Sequence, residues 1–196
     1  MASTRGGYNS YVPFTIRDFQ PQDFETLWRI DQGCFPPGIS YSRHELKFYI
    51  GRRGSFTLVA TILDDAGRRN ETRITDKHGG INLNPGGQPM AADTTQAATF
   101  SAEIAGFIVS QAGAIGHVIT IDVVSSARRS GVGSQLLQAA EDRLRTDGSR
   151  AVALETAVDN SAALSFYKRN GYSVTKSLPR YYSNGTDALV LRKELI

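Results

Sequence analysis

The sequence predicts a single α/β domain in which helices cover a mixed β-sheet. Short β-branched runs alternate with segments of helical spacing in the order β–α–α–β–β–β–α–β–α–β–β, which favours this class over an all-α or all-β fold. The chain has 196 residues, 40% of them hydrophobic and 21% charged, so one core of good size can form. A third observation is a strand, a glycine-containing loop and an amphipathic helix that follow one another directly in the second half of the chain.

The composition excludes several classes of protein. The net charge of +3 is too small to indicate nucleic-acid binding. Cys34 is the single cysteine, so an intramolecular disulfide is impossible, which fits a reducing cytoplasm. The polar segment Met1–Tyr11 lacks the apolar core of a signal peptide, and no apolar run approaches the length of a membrane span. We therefore expect a cytoplasmic protein, with residues 1–12 disordered and residues 13–196 forming the domain.

The first half of the chain predicts two strands and two helices. Phe14–Arg17 is typical of a short strand, and Asp23 is placed to cap a helix that runs to about Gln32. Ser42 is placed to cap a second helix through about Tyr49. Phe56–Leu63 has the composition and the length of a buried strand.

The segment from about residue 64 to 102 is different in composition. It is rich in Gly, Pro, Asn, Thr and Ala, and it is longer than the connections usual in compact domains. We expect a flexible insertion in a hairpin. It is either a surface loop or a lid or docking arm, because long loops are often functional.

The second half predicts five strands and two helices. Gly148 is expected to end the first of these helices and Asn160 to cap the second. The predicted strands are 104–112, 119–124, 151–156, 172–178 and 188–191, of which the last two form an antiparallel pair.

The loop Arg128–Ser134 predicts an anion site. Gly131 and Gly133 lack the Cβ atoms that would keep a ligand from the backbone, and the N–H groups of the loop and of the helix start can surround a pyrophosphate. The loop has no lysine in P-loop spacing and lacks the three glycines of a dinucleotide fingerprint. A phosphorylated ligand of another kind is therefore expected.

The order Arg-x-x-Gly-x-Gly at Arg128–Gly133 resembles the acyl-CoA signature of the GCN5-related N-acetyltransferases (the GNAT family). The resemblance continues downstream at Leu154–Thr156, Asn160 and Phe166–Tyr172. It is clear from about residue 104 to the C-terminus and weaker over residues 16–63. The sequence looks closest to the RimI-type branch, which acetylates the N-terminal alanine of ribosomal proteins. The resemblance implies the GNAT fold, a mixed and mostly antiparallel central sheet in which two parallel strands splay apart.

The resemblance also implies acetyl-CoA as the cofactor, with its pantetheine arm in the gap between the splayed strands. The backbones of Ile121 and Val123 would bind this arm, and Asn160 and Tyr167 would contact it. The residues implied in binding the pyrophosphate, mostly through their backbone N–H groups, are Arg128, Arg129, Ser130, Gly131, Val132, Gly133 and Ser134.

Acetyl transfer to an amine requires a base for the amine and an acid for the departing thiolate. Glu155 is the expected base, acting through water, because a glutamate within an otherwise apolar strand is costly unless it is paired or solvated. Asp122 is the alternative, since it lies in a β-branched run beside the expected cleft, although it could instead be half-exposed on the opposite face. Tyr167 is the expected acid, because a phenol is protonated at neutral pH.

The acceptor site is expected between two loops. By resemblance to the RimI-type branch, Phe35 would contact the substrate from one loop, and Tyr181 and Tyr182 from the other. A protein N-terminus is the first hypothesis. Because both loops depart from the branch pattern, a small amine or a lysine side chain is the second, and a non-catalytic acyl-CoA-binding module is the third. The three histidines share no metal-ligand spacing, so no metal is expected, and a monomer and a dimer are equally compatible with the sequence.

Overall fold

The computed structural model describes residues 14–62 and 103–195. The predicted disorder of residues 1–12 and the predicted insertion at 64–102 lie outside these residues. The described strands are β1 (Phe14–Asp18), β2 (Ser55–Ile62), β3 (Glu103–Gln111), β4 (Ile115–Val123), β5 (Ala151–Ala157), β6 (Ser173–Leu178) and β7 (Ala188–Glu194). The described α-helices are α1 (Phe24–Cys34), α2 (Arg43–Gly51), α3 (Val132–Thr146) and α4 (Ser161–Arg169), with 3₁₀ turns at Pro21–Asp23 and Ser125–Ala127.

The seven strands form one mixed sheet in the order β1-β2-β3-β4-β5-β7-β6. Strand β4 pairs with β5 in parallel, whereas the pairs β1–β2, β3–β4, β5–β7 and β6–β7 are antiparallel. The predicted class, a mixed and mostly antiparallel sheet flanked by helices, is confirmed. Strand β7 lies between β5 and β6, so the antiparallel pair predicted at the C-terminus completes the sheet beside β5.

Two hydrophobic clusters pack the sheet against its helices. Alternate residues of β2 divide between them, since Leu58 and Ala60 belong to the cluster that contains α3, whereas Val59 belongs to the cluster that contains Leu27 of α1 and Leu46 of α2. The alternation places the two clusters on opposite faces of the sheet. The apolar side that the sequence pattern predicts for each helix packs against one face of the sheet.

The predicted helix caps are confirmed at two positions and differ at a third. Ser42 Oγ accepts the N–H of Glu45, and Asn160 Oδ1 accepts the N–H of Ala163 at 3.1 Å. Asp23 lies at the start of α1, but its side chain makes no capping bond. The preceding 3₁₀ turn gives Asp23 helical backbone angles, and its carboxylate instead pairs with Arg17 at 2.7 Å.

Strand β4 contains a β-bulge that matters for the site. The register with β3 passes from the pair Val109–Thr120 to the pair Ser110–Val118, so Ile119 is an extra residue without a partner on β3. Consistent with the bulge, Ile119 packs against the α1–α2 cluster whereas Ile121 packs against the α3 cluster, although residues two apart on a regular strand share a face. The strand begins at Ile115, four residues earlier than predicted.

Strands β3 and β4 approach closely at Gly106. A Cβ built there would clash with the Asp122 carbonyl oxygen, so a larger residue would move the backbone of β4. Among the described residues, no helix is both long and apolar enough to cross a membrane.

Candidate active site

A cleft opens where β4 and β5 part. The parallel pairing runs from Ile115 with Ala151 to His117 with Ala153 and stops there, although both strands continue, to Val123 and Ala157. Beyond this point the backbone of β4 faces a cleft of about 1000 Å³. The predicted splaying of two parallel strands is therefore present, and its geometry leaves backbone polar groups free to bind an extended ligand.

The loop at one side of this cleft has the form of an anion site. Gly131 stands at the N-cap of α3 with a φ of +96°, and no atom lies within 4 Å of the position that a Cβ would take. The first N–H groups of an α-helix have no partner within the helix, so those of α3 are available to an anion. Arg129 has a φ of +64°, a left-handed conformation that is unfavourable for arginine and is typical of functional loops.

Most of the residues implied in cofactor binding line the cleft. Val132 does not, because its side chain is 1% exposed and packs in the α3 cluster, and neither does Ser130, whose Oγ donates to the Ala127 carbonyl at 2.7 Å. The positions of these two side chains do not prevent the backbone N–H of either residue from binding a ligand. The residues that line the cleft as expected are Ile121, Val123, Arg128, Arg129, Gly131, Gly133, Ser134, Asn160 and Tyr167.

The side chain of Arg128 contacts β4 as well as the cleft. Its Nε donates to the Val123 carbonyl at 3.1 Å, and its Nη2 lies 3.6 Å from Cys34 Sγ. The Cys34 thiol donates to the same carbonyl at 3.5 Å, and burial raises the pKa of this thiol. Cys34 is thus a neutral, half-buried packing residue, whereas Arg128 ties the loop to the end of β4.

Glu155 lines the cleft and is paired with His117. Glu155 Oε2 and His117 Nε2 are 2.6 Å apart, and the side chains are 19% and 39% exposed. The pairing explains how a carboxylate is tolerated in an apolar strand. The sequence reasoning considered His117 only as a metal ligand and missed this contact, because it depends on the parallel register of two strands 38 residues apart.

Tyr167 lies on α4 against the same cleft and is 6% exposed. Its ring contacts Phe166 edge-on and Tyr172 in a tilted arrangement, with centroids 5.1 Å and 5.6 Å away. Burial and the nearby Asp122 raise the pKa of the Tyr167 phenol, so it keeps its proton across the physiological range.

Asp122 does not line the cleft. It is 1% exposed on the α1–α2 face of the sheet, where one carboxylate oxygen accepts the Thr120 hydroxyl at 2.9 Å. Among the described residues, no partner lies within hydrogen-bonding distance of its other oxygen. Burial, with a smaller contribution from Asp31, raises the pKa of Asp122 to about 8. The alternative that Asp122 is half-exposed on the face opposite the cleft is wrong as to exposure, because the bulge turns the side chain to the α1–α2 face, where it is buried.

The raised pKa of Asp122 predicts a pH-dependent stability. The folded protein keeps a proton that the unfolded chain releases near pH 3.8, so the free energy of unfolding should fall as the pH rises from about 4 to about 8. Asp122→Asn removes this proton equilibrium. We expect a flatter dependence and a higher melting temperature than wild type at pH 8, with a much smaller difference at pH 5.

Thermal unfolding between pH 5 and pH 8 measures this effect, with the exposed Asp147→Asn as the matched control. A slope that remains below about pH 6 in the Asp122→Asn protein would belong to Asp31, whose pKa burial raises to about 6. An Asp122→Asn protein no more stable than wild type at pH 8 would show that Asp122 is not held protonated.

The two loops that the sequence predicted to hold the acceptor both lie at the cleft. Phe35 and Tyr182 line it as expected, whereas Tyr181 is 49% exposed and packs edge-on against Tyr182 with ring centroids 5.1 Å apart. The two loops touch, because Ser183 Oγ donates to the Gly38 carbonyl at 2.9 Å. The loops that the sequence predicted to hold a substrate are therefore joined over one side of the cleft.

Tyr41 is a lining residue that the sequence reasoning missed. Its hydroxyl donates to the Ile119 carbonyl at 3.3 Å, and its ring contacts Tyr49 at 5.2 Å. The tyrosine stands one residue before the helix cap at Ser42, and no motif in the sequence marks it as a cleft residue.

The model of the acetyltransferase (GNAT) family matches residues 24–172 of this chain. N-alpha-acetyltransferase 30 of Schizosaccharomyces pombe is 44% identical over 73 residues, which are 37% of this chain and 49% of that protein. The N-alpha-acetyltransferase of Sulfurisphaera tokodaii is 38% identical over 81 residues, or 41% of this chain and 48% of that protein. The chain thus spans about half the length of the curated relatives that it matches.

Solved structures share the fold. Ard1 from Thermoplasma volcanium superposes with a TM-score of 0.67 at 24% identity, over 93% of this chain and 98% of that one. The ribosomal-protein-S18-alanine N-acetyltransferase from Escherichia coli superposes with a TM-score of 0.65 at 17% identity, over 93% and 94% of the two chains.

Proposed function

Because the chain belongs to the acetyltransferase (GNAT) family, we propose that it transfers an acetyl group from acetyl-CoA to the α-amino group of a protein N-terminus. The observation that carries this proposal is the position of Glu155 and His117. Glu155 lies at the place where β4 and β5 part, in the same cleft as the anion loop of α3, and His117 contacts it from β4. A proton acceptor and a site for a phosphorylated acyl donor therefore share one cavity.

The residues of this chain fit acetyl-CoA as the donor. The helix start at Gly131 and the guanidinium of Arg129 suit a pyrophosphate, and the unpaired edge of β4 up to Val123 suits the amide groups of a pantetheine arm. Acetyl-CoA supplies an acetyl group activated as a thioester. Asn160 and Arg169 line the cleft on the α4 side and can contact the donor there.

Glu155 is the proposed base. An α-amino group titrates near 7.7–8.0, so much of it is protonated at neutral pH and must lose a proton before it attacks. Glu155 accepts this proton, directly or through a water, and the contact with His117 holds its carboxylate at the cleft. A carboxylate that faces the acceptor also attracts the ammonium form of the amine.

Tyr167 is the proposed acid, which donates its phenolic proton to the sulfur that departs. Tyr167→Phe removes only the hydroxyl and keeps the aromatic contacts with Phe166 and Tyr172. We expect kcat to fall about 100-fold, as for the loss of a general acid, while the Kd for acetyl-CoA stays within about twofold. Steady-state release of the CoA thiol and calorimetric titration measure the two quantities. A Tyr167→Phe enzyme with the wild-type rate would show that the acid is another group.

The acceptor class is proposed from the relatives and the loops together. The curated relatives are N-alpha-acetyltransferases by name, and the tyrosines of the acceptor loops, Tyr41 and Tyr182, suit hydrogen bonds to a peptide backbone. Both loops contribute to one wall, because Ser183 contacts Gly38. A ribosomal protein is the finer candidate that the RimI-type resemblance suggests.

Acetyl-CoA binding, followed by CoA release with a panel of amines, tests the proposal. The panel contains peptides with free N-termini, the same peptides with blocked N-termini and an internal lysine, and small polyamines. We expect turnover with free N-termini and none with the blocked peptides. Turnover only with lysine or polyamines would overturn the acceptor, and acetyl-CoA binding with no turnover would overturn the enzymatic assignment.

A further inference from the structure

Asp31 is a fully buried carboxylate that holds the backbone of Tyr41. It lies near the end of α1 with 0% of its surface exposed, and its Oδ2 accepts the Tyr41 N–H at 2.8 Å. The neighbouring Gln32 donates from its Nε2 to the Tyr41 carbonyl, also at 2.8 Å. Both backbone polar groups of one cleft residue are thus bound by two consecutive side chains of α1.

The side chain of Tyr41 is fixed by further contacts. Its hydroxyl donates to the carbonyl of Ile119, the extra residue of the bulge in β4, which has no partner on β3. Its ring packs against Tyr49. Burial, with added repulsion from Tyr49 and Tyr181, raises the pKa of the Tyr41 phenol, so the hydroxyl remains a donor.

Burying the carboxylate of Asp31 costs free energy of folding, so a contribution to stability alone does not explain its position. Among the described residues its Oδ1 has no hydrogen-bond partner, and no described cation pairs with it. Replacing a buried charge by a neutral group of similar shape is often neutral or stabilising. Its Oδ2 accepts two bonds, one from Gln32 Nε2 at 3.1 Å and one from the Tyr41 N–H at 2.8 Å, and both donors belong to the group of contacts that holds Tyr41 at the cleft.

We propose that Asp31 is a positioning residue for the acceptor: it holds Tyr41 against the bulge of β4 and thereby sets the wall that faces the attacking amine. The inference rests on the proposed function, since it assigns Tyr41 to the acceptor side of the same cleft. Asp31 touches neither substrate. It acts through the backbone of Tyr41, so its replacement should change the KM for the acceptor and leave the Kd for acetyl-CoA unchanged.

Three variants separate this role from a purely structural one. Asp31→Ala removes the acceptor of the Tyr41 N–H, whereas Asp31→Asn keeps an oxygen that can accept it. Tyr41→Phe keeps the ring and loses the hydroxyl bond to Ile119. We expect Asp31→Ala and Tyr41→Phe to raise the KM for the acceptor peptide about tenfold, because each variant loses one hydrogen bond that keeps Tyr41 aligned with the acceptor. The Kd for acetyl-CoA should not change. Asp31→Asn should restore the KM to within about threefold of wild type.

Amide hydrogen exchange at Tyr41, followed by NMR, gives a readout that does not need turnover. Exchange should be at least about tenfold faster in Asp31→Ala than in wild type and near the wild-type rate in Asp31→Asn. If Asp31→Ala does not fold, Tyr41→Phe and Asp31→Asn still give the acceptor KM.

An unchanged acceptor KM in Asp31→Ala or Tyr41→Phe, in an active wild-type background, would overturn this inference and leave the proposed function standing. A failure of Asp31→Asn to restore KM would also overturn it, because the charge and not the bond to Tyr41 would then matter. A wild-type protein that binds acetyl-CoA and acetylates no amine would instead overturn the proposed function itself.

Discussion

Glu155→Gln is expected to lower kcat by about 10² to 10⁴, the range for the loss of a general base, while the Kd for acetyl-CoA remains unchanged. Glutamine has nearly the volume of glutamate and keeps an oxygen that can contact His117, so the cleft should retain its shape. What is lost is the group that takes the proton from the amine. Steady-state CoA release with a free N-terminal peptide gives kcat, and calorimetry gives the Kd.

The matched control is Glu194→Gln on β7. It makes the same chemical change on the strand that pairs with β5, but its side chain is 53% exposed, pairs with Arg192 and does not line the cleft. This variant should have the wild-type kcat. If Glu155→Gln retained more than about a third of the wild-type kcat, Glu155 would not be the base, and His117 would become the next candidate because it is the other titratable member of the pair.

Gly131→Glu is expected to weaken acetyl-CoA binding by on the order of 100-fold or more, since it removes at least two hydrogen bonds to a charged group at about 1.5–3 kcal/mol each. Two effects combine. The φ of +96° is strained for any residue with a Cβ, and the new carboxylate would stand at the helix start where an anionic pyrophosphate is proposed to bind. Calorimetric titration with acetyl-CoA measures the loss.

Gly148→Glu provides a control for the backbone strain. Gly148 has a φ of +89°, and as at Gly131 no atom lies within 4 Å of a built Cβ. It follows the C-terminal end of α3, whose 15 residues separate it from Gly131 by about 22 Å at 1.5 Å per residue. Gly148→Glu should lower the melting temperature without changing the Kd. Equal losses of affinity in the two variants would mean that strain, and not the anion site, accounts for the effect at Gly131.

The local features of the fold could be predicted from the sequence because they depend on neighbours within a few residues. The caps at Ser42 and Asn160 and the left-handed Gly148 are confirmed, since each requires only a short polar side chain or a missing Cβ at a helix end. Gly131, in the loop before α3, has a positive φ that glycine adopts readily. The family and the order of strands and helices followed from several such motifs in sequence.

The side-chain partners in the cleft could not be predicted because they join distant segments. His117 and Glu155 meet only when β4 and β5 take one particular parallel register. The face of the sheet on which Asp122 lies depends on a single extra residue, Ile119, because a shift of one residue turns every later side chain of a strand to the other face. Strand periodicity alone therefore left Asp122 and Glu155 as competitors for the same chemical role.

The pattern of residues along the chain was sufficient to establish the class of protein: a mixed sheet with helices on its faces and a glycine loop at a helix start, within the GNAT family. Which groups share the cleft depends instead on tertiary packing, which pairs Glu155 with His117, buries Asp122 and holds Tyr41 by means of Asp31. The two kinds of feature differ because backbone conformation and helix capping are local, whereas burial, register and the contacts of a long side chain depend on how distant elements pack.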